Sequence, residues 1–235
     1  MRMRLAALGL GLLTAAAPGN SQTSAQVLDV QGGKIRVVTV ASGLVHPWGL
    51  AFLPDGHSLL VTEKNGRLRM IRDGVLEPDP VWTSPTPPGQ GGDALHFVAV
   101  HPQFAQNRLV YVSYPKRDDR GFTLAVARGR LNGSKLEDVR EIFVADAWEA
   151  GGNLAGRIFF APDAMLYVTI GDRDRICCDG GEDNSLRMKA QKLDNHVARL
   201  CACATTAACR RIIPSWAARM RSLKSSLTAT GTDMD

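Results

Sequence analysis

The strongest constraint on the fold of this 235-residue chain is a strand-turn-strand unit that recurs three times. In each copy an apolar strand ends at a proline followed by a polar residue, and a second apolar strand then ends in Ser or Thr. The copies occupy residues 49–62, 97–113 and 157–169, with turn prolines at Pro54, Pro102 and Pro162. Their spacing is close to the roughly 40–50 residues of a propeller blade plus insertions. The repeat predicts an all-β fold, a β-propeller, with three hairpins of an unrelated sandwich as the alternative.

The region around the first copy is rich in β-branched and aliphatic residues between short turns. Four such stretches occupy residues 35–41, 49–53, 58–62 and 67–71. Asn65-Gly66 separates the last two and is a two-residue hairpin signal, because both residue types tolerate positive φ. We expect the four strands to form one antiparallel sheet, and no amphipathic helix pattern follows residue 34.

The amino-terminal segment has the order of a secretory signal. Arg2 and Arg4 precede an apolar run at residues 5–17, which Pro18 and small residues follow. The run is shorter than the roughly 20 residues that cross a bilayer as a helix. We therefore expect residues 1–25 to be a signal peptide, the protein to be periplasmic or secreted, and no membrane span after signal removal. A retained anchor and a misassigned start are the alternatives.

The formal charge of +5 is unevenly distributed. The chain has 28 basic and 23 acidic residues, and the excess of basic residues lies at its two ends, residues 1–25 and 198–235. The body between them is almost neutral. A basic stripe for nucleic acid would have to lie in the body, so we expect no nucleic-acid partner.

The five cysteines do not form the framework of a disulfide-stapled domain. None precedes Cys177, although small secreted domains distribute paired cysteines along the chain. The adjacent Cys177 and Cys178 fit an ordinary loop or a vicinal disulfide, and both interpretations stay open. No second ligand pair stands at zinc spacing, so we predict no metal site among the cysteines.

Three glycine-rich loops with polar side chains are candidates for a binding site. They occupy residues 89–95, 150–157 and 171–183. Loops at one end of a propeller channel converge on whatever binds there. Lactone hydrolysis is an alternative chemistry for a propeller, and it would need carboxylates on several central strands. The sequence offers Asp172 and few other such carboxylates, which disfavours this alternative.

Seven sequence stretches in the repeats and loops stand out in order along the chain: His46-Pro-Trp-Gly-Leu-Ala-Phe-Leu-Pro-Asp-Gly, Thr62-Glu-Lys-Asn-Gly-Arg-Leu, Gly89-Gln-Gly-Gly, Val100-His-Pro-Gln-Phe, Gly156-Arg-Ile, Tyr167-Val-Thr-Ile-Gly-Asp and Gln191-Lys-Leu-Asp-Asn-His-Val. Taken together, they resemble the soluble quinoprotein sugar dehydrogenases, the glucose/sorbosone dehydrogenase family. The resemblance runs from about residue 36 to residue 197. It implies a propeller of the six-bladed quinoprotein glucose dehydrogenase type, with about the first three blades in residues 26–197.

The resemblance also implies a chemistry. Such enzymes bind pyrroloquinoline quinone (PQQ) and Ca²⁺ and oxidise the anomeric hydroxyl of an aldose sugar to a lactone. The reaction needs a base for the hydroxyl proton, and the quinone accepts the hydride before an electron acceptor reoxidises it. The expected partners are therefore an aldose and an electron acceptor.

Three residues match functional positions of the family. Gln90 matches a glutamine that contacts quinone and substrate, and Arg157 follows the catalytic loop as a second cofactor-binding candidate. Asp172 matches the carboxylate that orients the catalytic histidine. Each residue has an alternative role. Gln90 could be a polar turn residue, Arg157 a structural ion-pair partner and Asp172 an acidic turn residue.

The important departure is Asn153, which stands in the catalytic loop where the family has its histidine base. An amide cannot accept the hydroxyl proton, and the resemblance implies that most of the PQQ and Ca²⁺ site lies in the missing carboxyl-terminal half of the propeller. We therefore expect this truncated chain to be inactive. His96 is a weak candidate for a substitute base. The alternative function is that of a non-enzymatic exported propeller fragment or binding remnant.

The character of the sequence changes after Val197. Residues 200–211 carry three cysteines without strand alternation or turn signals. Read in a shifted frame, the tail yields Leu-Arg-Leu, an Asp-Gly turn and Pro-Pro-Asp-Asn-Pro-Phe, as in the family. We therefore expect a frameshift near residue 198 that truncates the family sequence, and a non-homologous, disordered tail at residues 198–235. A divergent, genuine carboxyl terminus is the alternative.

Overall fold

The computed structural model describes residues 25–87, 94–173, 188–192, 194–204 and 209–211. Within them, regular structure is almost entirely β, which confirms the all-β class. The elements in chain order are β1 (Ala25–Val30), β2 (Gly33–Val38), β3 (Pro47–Phe52), β4 (Ser58–Glu63), β5 (Arg67–Arg72), β6 (Val75–Leu76), β7 (Trp82–Thr83), β8 (Val98–Val100), α1 (Phe104–Asn107), β9 (Leu109–Asp118), β10 (Gly121–Asn132), β11 (Lys135–Val144), β12 (Ala155–Phe160), β13 (Leu166–Ile170), β14 (Arg199–Cys203) and β15 (Cys209–Arg211). The described part has no helix long and apolar enough to cross a membrane.

The chain divides into two compact units, Met1–Val40 and Ala41–Asp235. In the first unit β1 and β2 form an antiparallel hairpin, with Gly32 at φ +94° in its turn. The prediction that residues 35–41 join one sheet with the next three strands is therefore wrong. Because Gly32 and Gly33 allow an immediate chain reversal, β2 pairs along its whole length with the strand before it.

The second unit contains three antiparallel sheets, one for each copy of the repeat. The first sheet has the order β3-β4-β5-β6, and β7 also pairs with β5. The second sheet is β8-β9-β10-β11 and the third is β12-β13-β14-β15. The predicted hairpin at Asn65-Gly66 is confirmed, although its connection has three residues and Gly66 takes the positive φ of +96°.

The second sheet packs on both of its faces. Alternate side chains of its strands meet the first sheet in one apolar cluster and the third sheet in another, as the two-residue period of a strand requires. The first cluster includes Leu60, Leu68, Met70, Val98, Val110, Val112 and Ala125. The second includes Tyr111, Leu124, Val126, Ile158, Leu166, Val168 and Cys201. The three sheets are thus stacked face to face through largely apolar interfaces.

The Thr and Ser that end the first two repeats connect one sheet to the next. Thr62 Oγ1 accepts a hydrogen bond from Gly49 N of its own sheet and donates to His96 O, at 2.9 and 2.6 Å. Ser113 Oγ likewise accepts from Phe97 N and donates to Gly156 O of the third sheet, at 3.1 and 2.6 Å. These bonds satisfy backbone groups between sheets that have little access to water. The hydroxyls of Thr62 and Ser113 therefore help to fix the position of each sheet relative to the next.

The chain beyond Val197 corrects one expectation. The sequence predicted disorder from residue 198, whereas the structure describes β14, which pairs with β13 and buries Cys201, Ala202 and Cys203. Small apolar side chains suit this position, because the edge of β13 offers unpaired backbone groups to any such segment. The frameshift stays a prediction, and residues 205–208 and 212–235 lie outside the described residues.

The His101-Pro turn of the second repeat carries a titratable group that holds its local structure. His101 is buried, and its Nδ1 accepts a hydrogen bond from Gln103 N at 3.0 Å. Burial, with the positive charge of Arg128 adding to it, lowers the pKa of His101 below its usual 6.5. The neutral imidazole is therefore the form that the fold requires.

We expect this histidine to make the protein less stable in mild acid. Because the pKa of His101 is lower in the folded state than in the unfolded chain, its contribution is complete above pH 6.5 and is lost as the pH falls through the folded-state value. Urea unfolding between about pH 8 and 5 should show this loss in the wild type and a weaker one in His101→Asn. His57→Asn, at an exposed histidine, is the control and should keep the wild-type profile. Equal profiles for all three proteins would contradict the assignment.

Candidate functional site

The third sheet brings Asn153 and Asp172 to the same end of one strand pair. Asn153 lies just before β12 and Asp172 just after β13, and the two strands are antiparallel, with Ala155 opposite Ile170. The backbone extends the pairing past the strand ends, since Arg173 N donates to Asn153 O at 3.2 Å. The structure thus places these two predicted catalytic positions side by side.

Gly171 permits this close approach. A Cβ atom at this position would overlap the carbonyl oxygen of Asn153. Because that obstacle is backbone, a side chain could be accommodated only by moving the two segments apart. The Gly-Asp step of the motif therefore has a packing reason in addition to any chemical one.

Arg173 fixes the loop that leads to Asn153. Its side chain is fully buried, and it donates through Nε to Ala147 O, through Nη1 to Gly152 O and through Nη2 to Phe122 O, all at 3.0–3.1 Å. These acceptors belong to β10 and to two points of the segment between β11 and β12. Sequence reasoning missed this residue, since its acceptors lie 21 to 51 positions away in the chain.

The side chain of Asn153 is exposed and oriented by its own loop. Its Oδ1 accepts a hydrogen bond from Ala155 N at 3.2 Å, which closes a turn of the kind that Asn side chains commonly form. With the oxygen committed in this way, the amide offers its Nδ2 hydrogens to a ligand. The group can therefore donate hydrogen bonds but cannot act as a base.

Arg157 lies in an irregularity of β12, where the register with β13 shifts between Ala155 and Ile158. Its guanidinium lies 4.6 Å from the ring centre of Phe97 in the second sheet, and the side chain is exposed. The arrangement is a cation–π contact between sheets. It leaves the guanidinium hydrogens accessible, so the contact is compatible with the predicted cofactor-binding role.

His96, the candidate substitute base, is part of the packing between sheets. It is buried, and its Nδ1 lies 3.0 Å from Ala155 O, which can only accept. A Cβ at Gly156 would come within 2.6 Å of the same nitrogen. The ring is therefore enclosed between the second and third sheets and is held there by a backbone carbonyl.

A cavity of about 550 Å³ lies beside the segment that Arg173 anchors. Its lining carries charges of both signs and one aromatic ring; it includes Arg120, Asp146, Trp148, Glu149, Lys189 and Asp194. The guanidinium of Arg120 lies 3.9 Å from the ring centre of Trp148. Hydrogen bonds from the same guanidinium lower the pKa of the Asp118 carboxyl, and Glu149 pairs with Lys189.

A family model described as Glucose / Sorbosone dehydrogenase matches residues 44–207, about 70% of the chain. The chain belongs to the glucose/sorbosone dehydrogenase family. Family membership confirms what the sequence motifs indicated, and the match runs from the first sheet to β14 of the third sheet.

Curated relatives support the same assignment. An uncharacterized protein of Synechocystis sp. is 35% identical over 206 residues, which cover 81% of this chain and 47% of the relative. The aldose sugar dehydrogenase YliI of Escherichia coli is 33% identical over 164 residues, which cover 68% of this chain and 41% of the relative. The chain thus spans about half the length of the curated relatives that it matches.

Solved structures of the family confirm the propeller. A glucose dehydrogenase matches with a TM-score of 0.61 at 31% identity, over 71% of this chain and 46% of the neighbour. The PQQ-bound aldose sugar dehydrogenase of Streptomyces coelicolor matches with a TM-score of 0.54 at 22% identity, over 79% of this chain and 50% of the neighbour, which bears on the fold alone. The three sheets are blades of a propeller of the quinoprotein glucose dehydrogenase type, and about half of that propeller is present.

The remaining family positions are not all described. Gln90 lies outside the described residues, as do Cys177 and Cys178 and most of the loop after Asp172. In the described ranges, no group of three or more His, Cys, Asp and Glu side chains lies close enough to hold a metal ion. The roles of Gln90, Asn153, Arg157 and Asp172 stay predictions.

Proposed function

We propose that this chain carries the first half of a PQQ-dependent aldose dehydrogenase propeller, whose reaction is oxidation of the anomeric hydroxyl of an aldose to a lactone. One observation carries the proposal: within a family match over residues 44–207, Asn153 and Asp172 lie side by side at one end of the third sheet. The signal peptide that the sequence predicts at residues 1–25 would place the site of action in the periplasm or outside the cell, where aldoses and a separate electron acceptor would be met.

The described residues fit an anionic quinone in part. The exposed guanidinium of Arg157 and the Nδ2 of Asn153 can donate to carboxylate and quinone oxygens. Calcium takes six to eight oxygen ligands, and no three Asp, Glu, His or Cys side chains lie together among the described residues, so these residues supply no carboxylate cluster for Ca²⁺. When bound, PQQ supplies the acceptor for the hydride.

The side chains of this chain then have limited tasks. Arg173 holds the loop, Gly171 lets the two segments approach, and Asn153 donates a hydrogen bond where the reaction needs a base. Since an amide does not take up a proton at neutral pH, the hydroxyl proton has no acceptor at this position. We therefore propose that the chain as it stands does not turn over aldoses.

The test is reconstitution of the full chain with PQQ and Ca²⁺, followed by dye reduction with a panel of aldoses. We expect no reduction by the wild type above the quinone-free control, and reduction above that control for Asn153→His, in which the histidine can take the hydroxyl proton. Asn132→His introduces the same side chain at an exposed position and should leave the rate at background.

Other outcomes would contradict the proposal. Turnover by the wild type equal to that of Asn153→His would show that position 153 does not limit the reaction. Failure of both proteins to carry PQQ through gel filtration would favour the second candidate, a non-enzymatic propeller fragment, which the amide at Asn153 already supports.

A further inference from the structure

The cavity of about 550 Å³ lies where three connections between strands meet. The turn between β9 and β10 supplies Arg120, the segment between β11 and β12 supplies residues 146–149, and the segment before β14 supplies side chains from residues 189–197. In each sheet the strands are antiparallel neighbours, so the end of one strand lies beside the start of the next. The three connections therefore lie at one end of the second and third sheets.

This end of the sheets also carries the predicted catalytic positions. Arg173, just after β13, donates to Phe122 O at the start of β10, so the end of the third sheet lies beside the cavity. Asn153 and Asp172 lie at that end of the third sheet. Neither of them lines the cavity, which is thus a second place for a ligand on the same side of the blades.

The walls of the cavity are fixed by bonds among its own segments. Glu149 pairs with Phe122 through a backbone bridge and forms an ion pair with Lys189. Asp146 N donates to His196 Nδ1 at 2.7 Å, and His196 N donates to Asp146 O at 2.9 Å. Because these bonds exist without a ligand, the cavity is formed in advance, as ligand sites usually are.

The lining of the cavity has no net charge. Arg120 pairs with Asp118, and Lys189 pairs with Glu149. Among the described residues, the side chains of Asp146 and Lys192 make no hydrogen bond and no ion pair, so they offer a free acceptor and a free donor. The ionised groups of the lining are three cations and three carboxylates: Arg120, Lys189, Lys192, Asp146, Glu149 and Asp194.

This lining favours a neutral ligand with many hydroxyl groups. A phosphate or another strongly charged ligand would gain no net attraction from it. The hydroxyls of a saccharide both donate and accept, so they can bond to Lys192 and Asp146 without bringing a charge into the cavity. The guanidinium of Arg120 and the ring of Trp148, 3.9 Å apart, form a wall that can pack against the C–H groups of a sugar ring.

The size of the cavity indicates the length of such a ligand. Its volume of about 550 Å³ falls within the roughly 300–1,000 Å³ of small-molecule sites. That space exceeds what one sugar ring fills. A saccharide of two rings therefore fits better than a monosaccharide.

We propose that this cavity binds a neutral oligosaccharide of at least two rings. One ring packs against the wall formed by Arg120 and Trp148, and hydroxyl groups bond to Asp146 and Lys192. The inference rests on the cavity and not on proton transfer at Asn153, so a chain that does not oxidise aldoses would still bind the saccharide.

The test is isothermal titration of the full chain, without PQQ, with methyl β-cellobioside. This disaccharide has no free anomeric hydroxyl, so it reports binding and not reaction. We expect saturable binding at one site, and Trp148→Ala should raise the Kd about tenfold or more because it removes part of the wall. Trp48→Ala is the matched control and should keep the wild-type Kd: Trp48 also has a cation over its ring, Lys64 at 4.1 Å, but belongs to the first sheet.

A second variant tests the polar contacts. Lys192→Met removes the free donor and keeps the length of the side chain, and it should raise the Kd about fivefold. Lys135→Met, at an exposed lysine of β11, is its control and should bind like the wild type. Lys192 is exposed, so this variant keeps the inference testable if circular dichroism shows that Trp148→Ala does not fold.

Titration with glycylglycine tests the other ligand that a lining with both signs of charge could take, a zwitterion. Binding of the dipeptide but not of the disaccharide would overturn the proposal, and so would the binding of neither. Saccharide binding that Trp148→Ala and Lys192→Met leave unchanged would place the ligand outside the cavity and would also overturn it.

Discussion

Replacing Arg173 with methionine is expected to lower the free energy of unfolding by about 3–5 kcal/mol. The guanidinium is fully buried and donates to the carbonyls of Phe122, Ala147 and Gly152. Methionine occupies a similar volume but takes the guanidinium donor away from Ala147 O and Gly152 O, while Phe122 O keeps its hydrogen bond from Glu149 N. Each unsatisfied buried group costs about 1–3 kcal/mol. The loop before Asn153 would then be held to β10 by the backbone bridge between Glu149 and Phe122, without the guanidinium.

The measurement is urea unfolding followed by circular dichroism, with Arg120→Met as the matched control. Arg120 also makes several hydrogen bonds, but its side chain is 62% exposed and its partner is Asp118. We expect the control to lose no more than about 1 kcal/mol. Equal losses in the two variants would show that the buried network does not hold the loop.

The second large effect is expected at Glu63, which is fully buried at the end of β4. Its carboxylate accepts from Val45 N at 2.6 Å and from Arg67 Nε at 2.7 Å, and it lies 3.5 Å from Arg69 Nη1. Glu63→Gln keeps the shape but turns an acceptor into a donor that faces two guanidinium groups. Because Arg69 is also buried, its charge would lose its counter-charge, at a cost of about 3–5 kcal/mol.

Two further variants compare the effect of the buried Glu63–Arg69 ion pair on the free energy of unfolding with that of a half-exposed ion pair. Glu141→Gln removes the partner of Lys116 at a half-exposed site and should cost no more than about 1 kcal/mol. The double variant Glu63→Met with Arg69→Met removes both buried charges and should be more stable than Glu63→Gln alone. A double variant that is less stable than the single one would contradict this account.

The sequence predicted the strand pairs of the three blades well, because their signals are local. Pro54 with its Asp-Gly and the Asn65-Gly66 step mark turns that the structure also has. The prediction that β2 belongs to the first sheet was wrong, because alternation of apolar residues indicates a strand but does not indicate which neighbouring strand it pairs with. It also missed β14, where the edge of β13 determines the pairing of small apolar residues.

In the candidate site, the sequence predicted only those residues that belong to recognisable motifs. The closeness of Asn153 and Asp172 follows from a hairpin, so a local pattern sufficed. Arg173 could not be found in this way, because its three acceptors are brought together by the packing of β10 against a distant loop. The family motif marks its neighbour Asp172, whereas the residue that holds the loop is Arg173, through its buried guanidinium.

The forward direction of the Ser and Thr bonds also bears on how the protein is made. Thr62 leaves the ribosome 34 residues before His96, and Ser113 leaves it 43 residues before Gly156. Each newly synthesised blade therefore displays an unmet hydroxyl until the next one emerges. The most recently synthesised blade is therefore the part of the nascent chain whose packing face is still exposed to water. We expect chaperones to bind that blade before the earlier ones.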